Sequence, residues 1–591
     1  MSARELITEH LDLWTGAVTK KSSSGRGSNG KVELTGIKKL RELILELAVR
    51  GKLVEQYAND EPASMLLEKI DKDKAQLTQL GNLKKPKKYP QIAPEEPPFK
   101  IPSSWIWERM HRVFLKITDG THHSPPNKED GDFLYVSAKN IKPEGVQLDG
   151  ITYVTKGIHE EIYSRCNPEL GDLLYIKDGA TTGVATINNL DEAFSMLSSV
   201  ALLKPHRDLL SNKFLLYCLR APFFYQEMRA GMTGVAITRV TLKKLDLALI
   251  PVPPIEEQHR IVQKVDELMA LCDQLEQQTS DQLEAHETLV DTLLGTLTQS
   301  ENATELADNW ARLAAHFDTL FTTEQSIDKL KQTILQLAVM GRLVEQDFSS
   351  EDSSELLQKI ESKREQLVQQ GKLKGGDKRN VSEKTDTPFN LPANWSWVRI
   401  SDLLPDFQNG ASSRGDQSGS EVIVLRLADI TNLEITLEDP RRLLISNSSI
   451  SKYAVRKGDI LIIRVNGSAD LVGRFIPVEA PFDGIFCDHF IRLRIDSQII
   501  EPRFLALVGS TELIRSRIED LFVSTAGQKT VNQKHIGSLL TSLPPIEEQH
   551  RIVKKVDELT ALCDQLKERL NQASETRCHL AEAIVEQGLS A

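Results

Sequence analysis

Two cations close two nearly repeated strands. Gly171-Asp172-Leu-Leu-Tyr-Ile-Lys177 matches Gly458-Asp459-Ile-Leu-Ile-Ile-Arg464, and each basic residue ends an apolar run before a polar turn. A lysine or arginine held there is placed to reach a phosphate oxygen or a guanine edge. Glycine-rich turns follow, Gly179-Ala180-Thr181-Thr182-Gly183 in one case and Gly467-Ser468 in the other, and such turns can offer backbone N–H groups to an anion. Catalytic chemistry has no comparable seat. The chain has no Gly-x-x-x-x-Gly-Lys-Ser/Thr phosphate loop and no Asn/Asp-Pro-Pro-aromatic tetrapeptide of the kind that holds a flipped base for amino-methylation. His122-His123 lacks a Cys/His cluster to complete a metal site, and adjacent side chains point apart on most backbones.

These strands lie in the unlike parts of a duplicated chain. Pro253 to Leu275 reads PPIEEQHRIVQKVDELMALCDQL and Pro544 to Leu566 reads PPIEEQHRIVKKVDELTALCDQL, identical at 21 of 23 positions. A second pair, ILELAVRGKLVEQ from Ile44 and ILQLAVMGRLVEQ from Ile334, repeats in the same order. The offsets, 334 − 44 = 290 and 544 − 253 = 291, show that each frame has kept its length. From Phe99 to Ile250 and from Phe389 to Leu543 only islands are shared, among them Trp105-Ile-Trp107 with Trp395-Ser-Trp397. One scaffold presenting two unlike recognition surfaces has this pattern.

The frames read as helices. Ile37, Leu40, Ile44 and Leu47 step by 3 or 4, as do Ile327, Leu330, Ile334 and Leu337, and Gly51 or Gly341 marks the stop. Leu66, Leu67 and Ile70, or Leu356, Leu357 and Ile360, predict a second helix and hence a hairpin. Each Pro-Pro pair starts a helix whose acids, Glu256-Glu257 or Glu547-Glu548, complement the helix dipole. Heptad seams follow, Ile261, Val265, Leu268, Cys272 and Leu275 in one copy and Ile552, Val556, Leu559, Cys563, Leu566 and Leu570 in the other. Packing within one domain would explain them, but the narrow stripe with charged flanks favours the two copies packing on each other as a coiled coil. Between frames, short runs such as Phe133–Val136, Leu173–Ile176, Val422–Leu425 and Ile460–Ile463, with helical segments such as Ser211–Arg220, predict mixed α/β domains of about 150 residues.

The resulting division is an N-terminal helix and Ser/Gly linker (1–34), a first hairpin frame (35–96), a first recognition domain (97–254) and a central helical region (255–323). A second frame (324–386), a second recognition domain (387–545) and a C-terminal coiled-coil helix (546–591) follow. The basic linkers Lys84–Lys88 and Lys374–Arg379 follow the hairpins and read as solvated charge before any phosphate role. A net charge of −12 excludes gripping nucleic acid by bulk electrostatics, so any DNA-binding surface is local. Six cysteines without C-x-x-C spacing, no apolar leader and no apolar run of membrane-spanning length predict a reducing, cytoplasmic setting without membrane contact.

In order and spacing, the doubled PPIEEQHRIV helix start, the doubled LAV-x-G-[KR]-L-V-E-Q frame, the Trp-containing start of each central region and the Gly-Asp-Leu/Ile-Leu strand resemble the DNA-specificity subunit of type I restriction-modification systems. The resemblance covers essentially the whole chain. It implies an α/β fold of two target-recognition domains, each reading one half of a split, asymmetric double-stranded DNA site, joined by helices in an antiparallel coiled coil that sets the gap. It also implies a subunit that is not itself catalytic and carries no cofactor. Its partners would be two methyltransferase subunits that make N6-methyladenine from S-adenosylmethionine and two restriction subunits that use ATP and Mg.

On that resemblance, the DNA-contact candidates in the first domain are Thr121, His122, His123, Lys139, Asn140, Lys177, Thr181 and Arg239. In the second they are Asn409, Arg414, Arg426, Asn432, Arg464, Asn466, Lys529 and Asn532. Arginine pairs with guanine and asparagine with adenine through two hydrogen bonds. Two other functions stay open: a coiled-coil adaptor whose α/β domains bind proteins, favoured by the acidic charge, and a self-contained restriction or methylation enzyme, disfavoured by the missing motifs.

Overall fold

The computed structural model describes residues 7–20, 32–81, 83, 89–230, 239–346, 352–372, 387–412, 419–525 and 527–590. Residues 21–31 of the Ser/Gly stretch, both basic linkers and Arg414 lie outside them. The chain forms two compact units, one of residues 1–282 with 572–591, the other of residues 283–571.

The frame spacing becomes the helices Thr35–Val49 and Glu324–Val339, and every apolar position named for them is buried. After each helix a glycine turns left-handed, Gly51 at φ 68° and Gly341 at φ 71°. A Cβ at either would stand 2.5 Å from a proline ring, Pro102 or Pro392, so both backbone and packing require glycine there. The helices Ala63–Gln79 and Ser353–Gln369 complete the hairpins, with Leu66, Leu67, Ile70, Leu356 and Ile360 buried and Leu357 half-buried.

Each Pro-Pro pair starts a 45-residue helix, Ile255–Gln299 and Ile546–Ser590. In the first unit Gln56 reaches Glu257, and Lys52 reaches the Leu589 carbonyl. Toward the other end of the frame helix, Arg41 reaches Asp273 and Glu276, while Ser574 donates to the Val18 carbonyl. The start of one long helix therefore lies beside the end of the other, and the pair runs antiparallel. The second unit repeats this: Gln346 meets Glu548 and Arg342 meets the Thr298 carbonyl, whereas Lys329 meets Glu287 and Lys331 meets Asp564.

This direction corrects the expected mate of the heptad seams. Ile261, Val265, Leu268 and Cys272 are buried, and Leu275 half-buried, in a core with Leu40, Ile44, Leu47 and Ala581. Ile552, Val556 and Cys563 are buried, with Leu559, Leu566 and Leu570 packed against them, in a separate core with Leu330, Ile334, Val290 and Leu294. The seams lie in separate cores. Both stand near the starts of their helices, and antiparallel packing sets a start against an end. Each seam therefore packs on its own frame helix and on the tail of the other long helix.

The recognition domains share one sheet plan. In the first, an antiparallel sheet runs in the order Ala185–Ile187, Leu173–Ile176, Val200–Pro205, Phe114–Asp119. In the second, the order is Phe475–Pro477, Ile460–Ile463, Phe490–Arg494, Asp406–Asn409. Leu173–Ile176 and Ile460–Ile463 are buried at every residue, which suits their unbroken apolar runs. A three-stranded sheet with one parallel pair accompanies each, centred on Phe133–Val136 or Ser420–Leu425. Antiparallel pairs close the domains at their chain ends, Ile106–Arg109 with Leu249–Val252 and Ser396–Arg399 with Leu540–Leu543. The helix Asn212–Arg220 starts on a Ser211 cap. No helix among the described residues is long and apolar enough to cross a membrane.

Candidate nucleic-acid interface

The repeated EEQ motif joins frame to recognition domain. Glu257, 1% exposed, accepts from Gln56 at 3.1 Å and from the Trp105 indole at 2.9 Å; Glu548 accepts from Gln346 at 2.6 Å and Trp395 at 3.0 Å. Burial pushes both carboxyls above the usual glutamate range, while the bonds they accept pull the other way. The next residue completes the joint. Gln258 bonds the Pro253 carbonyl and the Ser211 N–H, and Gln549 bonds the Pro544 carbonyl and the Glu501 N–H. The exposed Glu256 and Glu547 are left to complement the helix dipole.

From that anchorage the sheets carry the candidate contacts at strand ends. Phe114–Asp119 runs into Gly120, whose Cβ would stand 1.8 Å from the Met196 carbonyl; at Gly410 the clash is with the Cys487 carbonyl at 2.0 Å. Only glycine lets the chain pass there. In the first domain Asp119, 1% exposed, lies 2.5 Å from Arg165, 3.4 Å from His122 and 3.5 Å from Lys177. Asp178 adds ion pairs to Lys177 at 3.0 Å and Arg239 at 3.3 Å. Four bases therefore share two carboxylates. Thr121 holds the neighbouring turn through the His123 carbonyl, while His122, His123, Lys139 and Thr181 are exposed.

Two first-domain assignments need correction. Lys177 is 1% exposed, and its ammonium is neutralised by Asp119 and Asp178, so it does not reach out to a phosphate. Asn140, 4% exposed, accepts from the Ser137 N–H and donates to the Gln147 carbonyl, which makes it the clasp of a turn.

The second domain gathers its candidates differently. Val465-Asn466 pairs with Lys529-Thr530, placing Asn466 and Lys529 on one short sheet, with Arg464 immediately before it. Asn532 caps the next helix through the His535 N–H, and Gln533 donates to Asn409 at 3.1 Å. Arg464 is half-buried, and its guanidinium donates to the Asp488 carbonyl at 3.3 Å. Arg426, His489 and Arg441 help line a cavity of about 270 Å³ whose apolar wall includes Val424, Leu427, Leu443 and Cys487. Burial pushes the Cys487 thiol up to about 11. Much of the fork of Arg426 is already occupied, by Asp429 at 2.9 and 3.1 Å and by the Asp439 carbonyl at 2.8 Å. Asn432, at φ 53° beside Leu433 at φ 64°, forms the tip of a two-residue hairpin, a backbone role that asparagine suits.

Residue-by-residue reading missed Asp119, Arg165, Asp178, His489 and Gln533. Asp119-Gly120 and Asn409-Gly410 stand 290 positions apart, which could have exposed the first; nothing local distinguishes the other four.

The type I restriction modification DNA specificity domain matches residues 114–285 and again 394–575, once in each half. The EcoEI type I restriction enzyme specificity subunit of Escherichia coli is 37% identical over 608 aligned residues, covering 100% of both chains. The EcoAI specificity subunit of the same species is 35% identical, again over 100% of both. The crystal structure of the HsdS subunit from Thermoanaerobacter tengcongensis is 19% identical and overlaps 84% of this chain and 98% of its own, with a TM-score of 0.40. With likeness over the full length and the family domain present in each half, this chain belongs to the type I restriction modification DNA specificity family.

Proposed function

We propose that the chain is the non-catalytic specificity subunit of a cytoplasmic type I restriction-modification complex and reads a bipartite, asymmetric DNA site, one recognition domain per half. It recruits two methyltransferase subunits, which hold S-adenosylmethionine and methylate adenine at N6, and two restriction subunits, which use ATP and Mg. One observation carries this reading. The Trp–Glu–Gln joint is built twice, from Trp105, Glu257 and Gln56 and from Trp395, Glu548 and Gln346, beneath recognition surfaces that differ. Identical joints suit two like partners, and unlike surfaces suit two unlike half-sites.

The long helices then set the spacing between half-sites. A 45-residue helix is about 68 Å long, against the roughly 34 to 36 Å between modules one DNA turn apart. Inserting one helical turn into both long helices of the assembled methyltransferase should change the spacer and leave both half-sites unaltered, as read by modified-base sequencing. An unchanged spacer would contradict the reading, and methyl transfer by the isolated chain would overturn the non-catalytic role.

A further inference from the structure

Equivalent places in the two recognition domains carry opposite charge environments. Asp119 pairs with Ala201 and Asn409 with Ile491, while the Lys177 and Arg464 N–H groups donate to the Ser199 and His489 carbonyls. The offsets agree, 409 − 119 = 290, 491 − 201 = 290 and 489 − 199 = 290, so Asp119 and Asn409 hold one structural position. In the first domain that position is a buried carboxylate drawing in Arg165, His122 and Lys177. In the second it is an exposed amide engaged with Gln533. The neighbouring position repeats the contrast, since Asp178 pairs with Lys177 and Arg239 whereas Val465, the residue after Arg464, cannot pair with anything charged. Among the described residues Arg464 has a backbone carbonyl as its side-chain partner and no carboxylate.

A carboxylate on a basic cluster does two things. It uses up part of the cationic field that would attract phosphate, and it fixes the direction of the donors that remain. We propose that Asp119 is a positioning residue of DNA recognition, tethering Arg165 and His122 so that the first domain reads its half-site through oriented donors, while Asn409 leaves Arg464 to meet DNA with its charge uncompensated. The inference rests on the one-domain-per-half reading and adds the residue that divides the two modes.

The test uses the fully assembled methyltransferase, with D119N and N409D compared against wild type on duplexes altered in one half or the other, across a salt series. D119N should steepen the salt slope by about one counterion and relax discrimination about tenfold in the first half only. N409D should flatten the slope by about one counterion and weaken binding about tenfold through the second half. D119E, which keeps the charge, should recover the wild-type slope; a purely structural role gives no reason for slope to follow charge. Lys177 keeps Asp178 in D119N, and if that variant still fails to assemble, N409D at its exposed site decides alone. Wild-type slope and discrimination in both variants overturn the proposal. A shifted slope with discrimination lost evenly across both halves keeps the role of Asp119 and overturns the one-domain-per-half reading.

Discussion

The helical frames and the recognition domains have treated the same duplication in opposite ways. In the frames, the bonds accepted by two buried glutamates repeat one for one: Gln56 with Glu257 and Gln346 with Glu548, Trp105 with Glu257 and Trp395 with Glu548. In the recognition domains, Lys177 is sealed between two carboxylates and its counterpart Arg464 faces a carbonyl. A buried donor without its acceptor costs about 1 to 3 kcal/mol, so a joint centred on a buried indole–carboxylate bond resists change in either copy. At the strand end of the second domain the half-buried Arg464 rests on a backbone carbonyl, so that copy carries no buried ion pair to lose and the two domains can differ there. Even in the frames, exposed charges have drifted. Glu276 pairs with Arg41, whereas at the equivalent position Lys567 pairs with Asp328, with the polarity reversed.

The sharpest way to break this comparison is to truncate both strand-end cations. Lys177→Ala leaves the buried Asp119 with Arg165 and the half-buried Asp178 with Arg239 but without their shared ammonium, and should cost about 3 kcal/mol of stability in denaturant unfolding. Arg464→Ala should stay within about 0.5 kcal/mol in that assay and lower DNA affinity and salt slope in the assembled enzyme. Equal destabilisation by both would show that the two positions are alike. Next in size, Glu257→Gln and Glu548→Gln each leave one acceptor for two donors, so each should cost about 1 to 3 kcal/mol, and by matching amounts. Unequal losses would mean the joints are not equivalent.

The same glutamates give a pH signature. Burial raises their carboxyls, so the folded state binds protons that the unfolded state releases. Their contribution is fully present below the ordinary glutamate range and is lost as pH rises through the elevated one. Either glutamine variant should flatten the stability-versus-pH curve in that window. The smallest effect belongs to the exposed pair: Lys567→Glu should cost at most about 1 kcal/mol, and adding Asp328→Lys should recover it at low salt, measured as a double-mutant cycle.

Much of the scaffold is legible in the sequence. The 3-4-3 spacing of Ile37, Leu40, Ile44 and Leu47 became a buried helix face, and the run from Leu173 to Ile176 became a strand buried on both sides. Repetition at offsets of 290 and 291 announced two like halves. The interface was read less well. Lys177 looked like a reaching cation because the lysine and its polar turn are adjacent in sequence, whereas its buried partner Asp119 lies on a strand two places across the sheet. Asn140 looked like a base-reading amide until its turn closed around it.

Periodicity and duplication are properties of neighbouring residues, so the sequence alone determined the helices, the recognition strands, their order and the family they announce. Which groups meet across the sheet, and which ends of two long helices lie together, depends on chain direction and on pairing between distant segments. Tertiary structure alone decided that each seam packs on its own frame and that one strand-end cation is neutralised while the other is not. A side chain's charge is written in its own residue, but the field it feels is set by residues that only folding brings near.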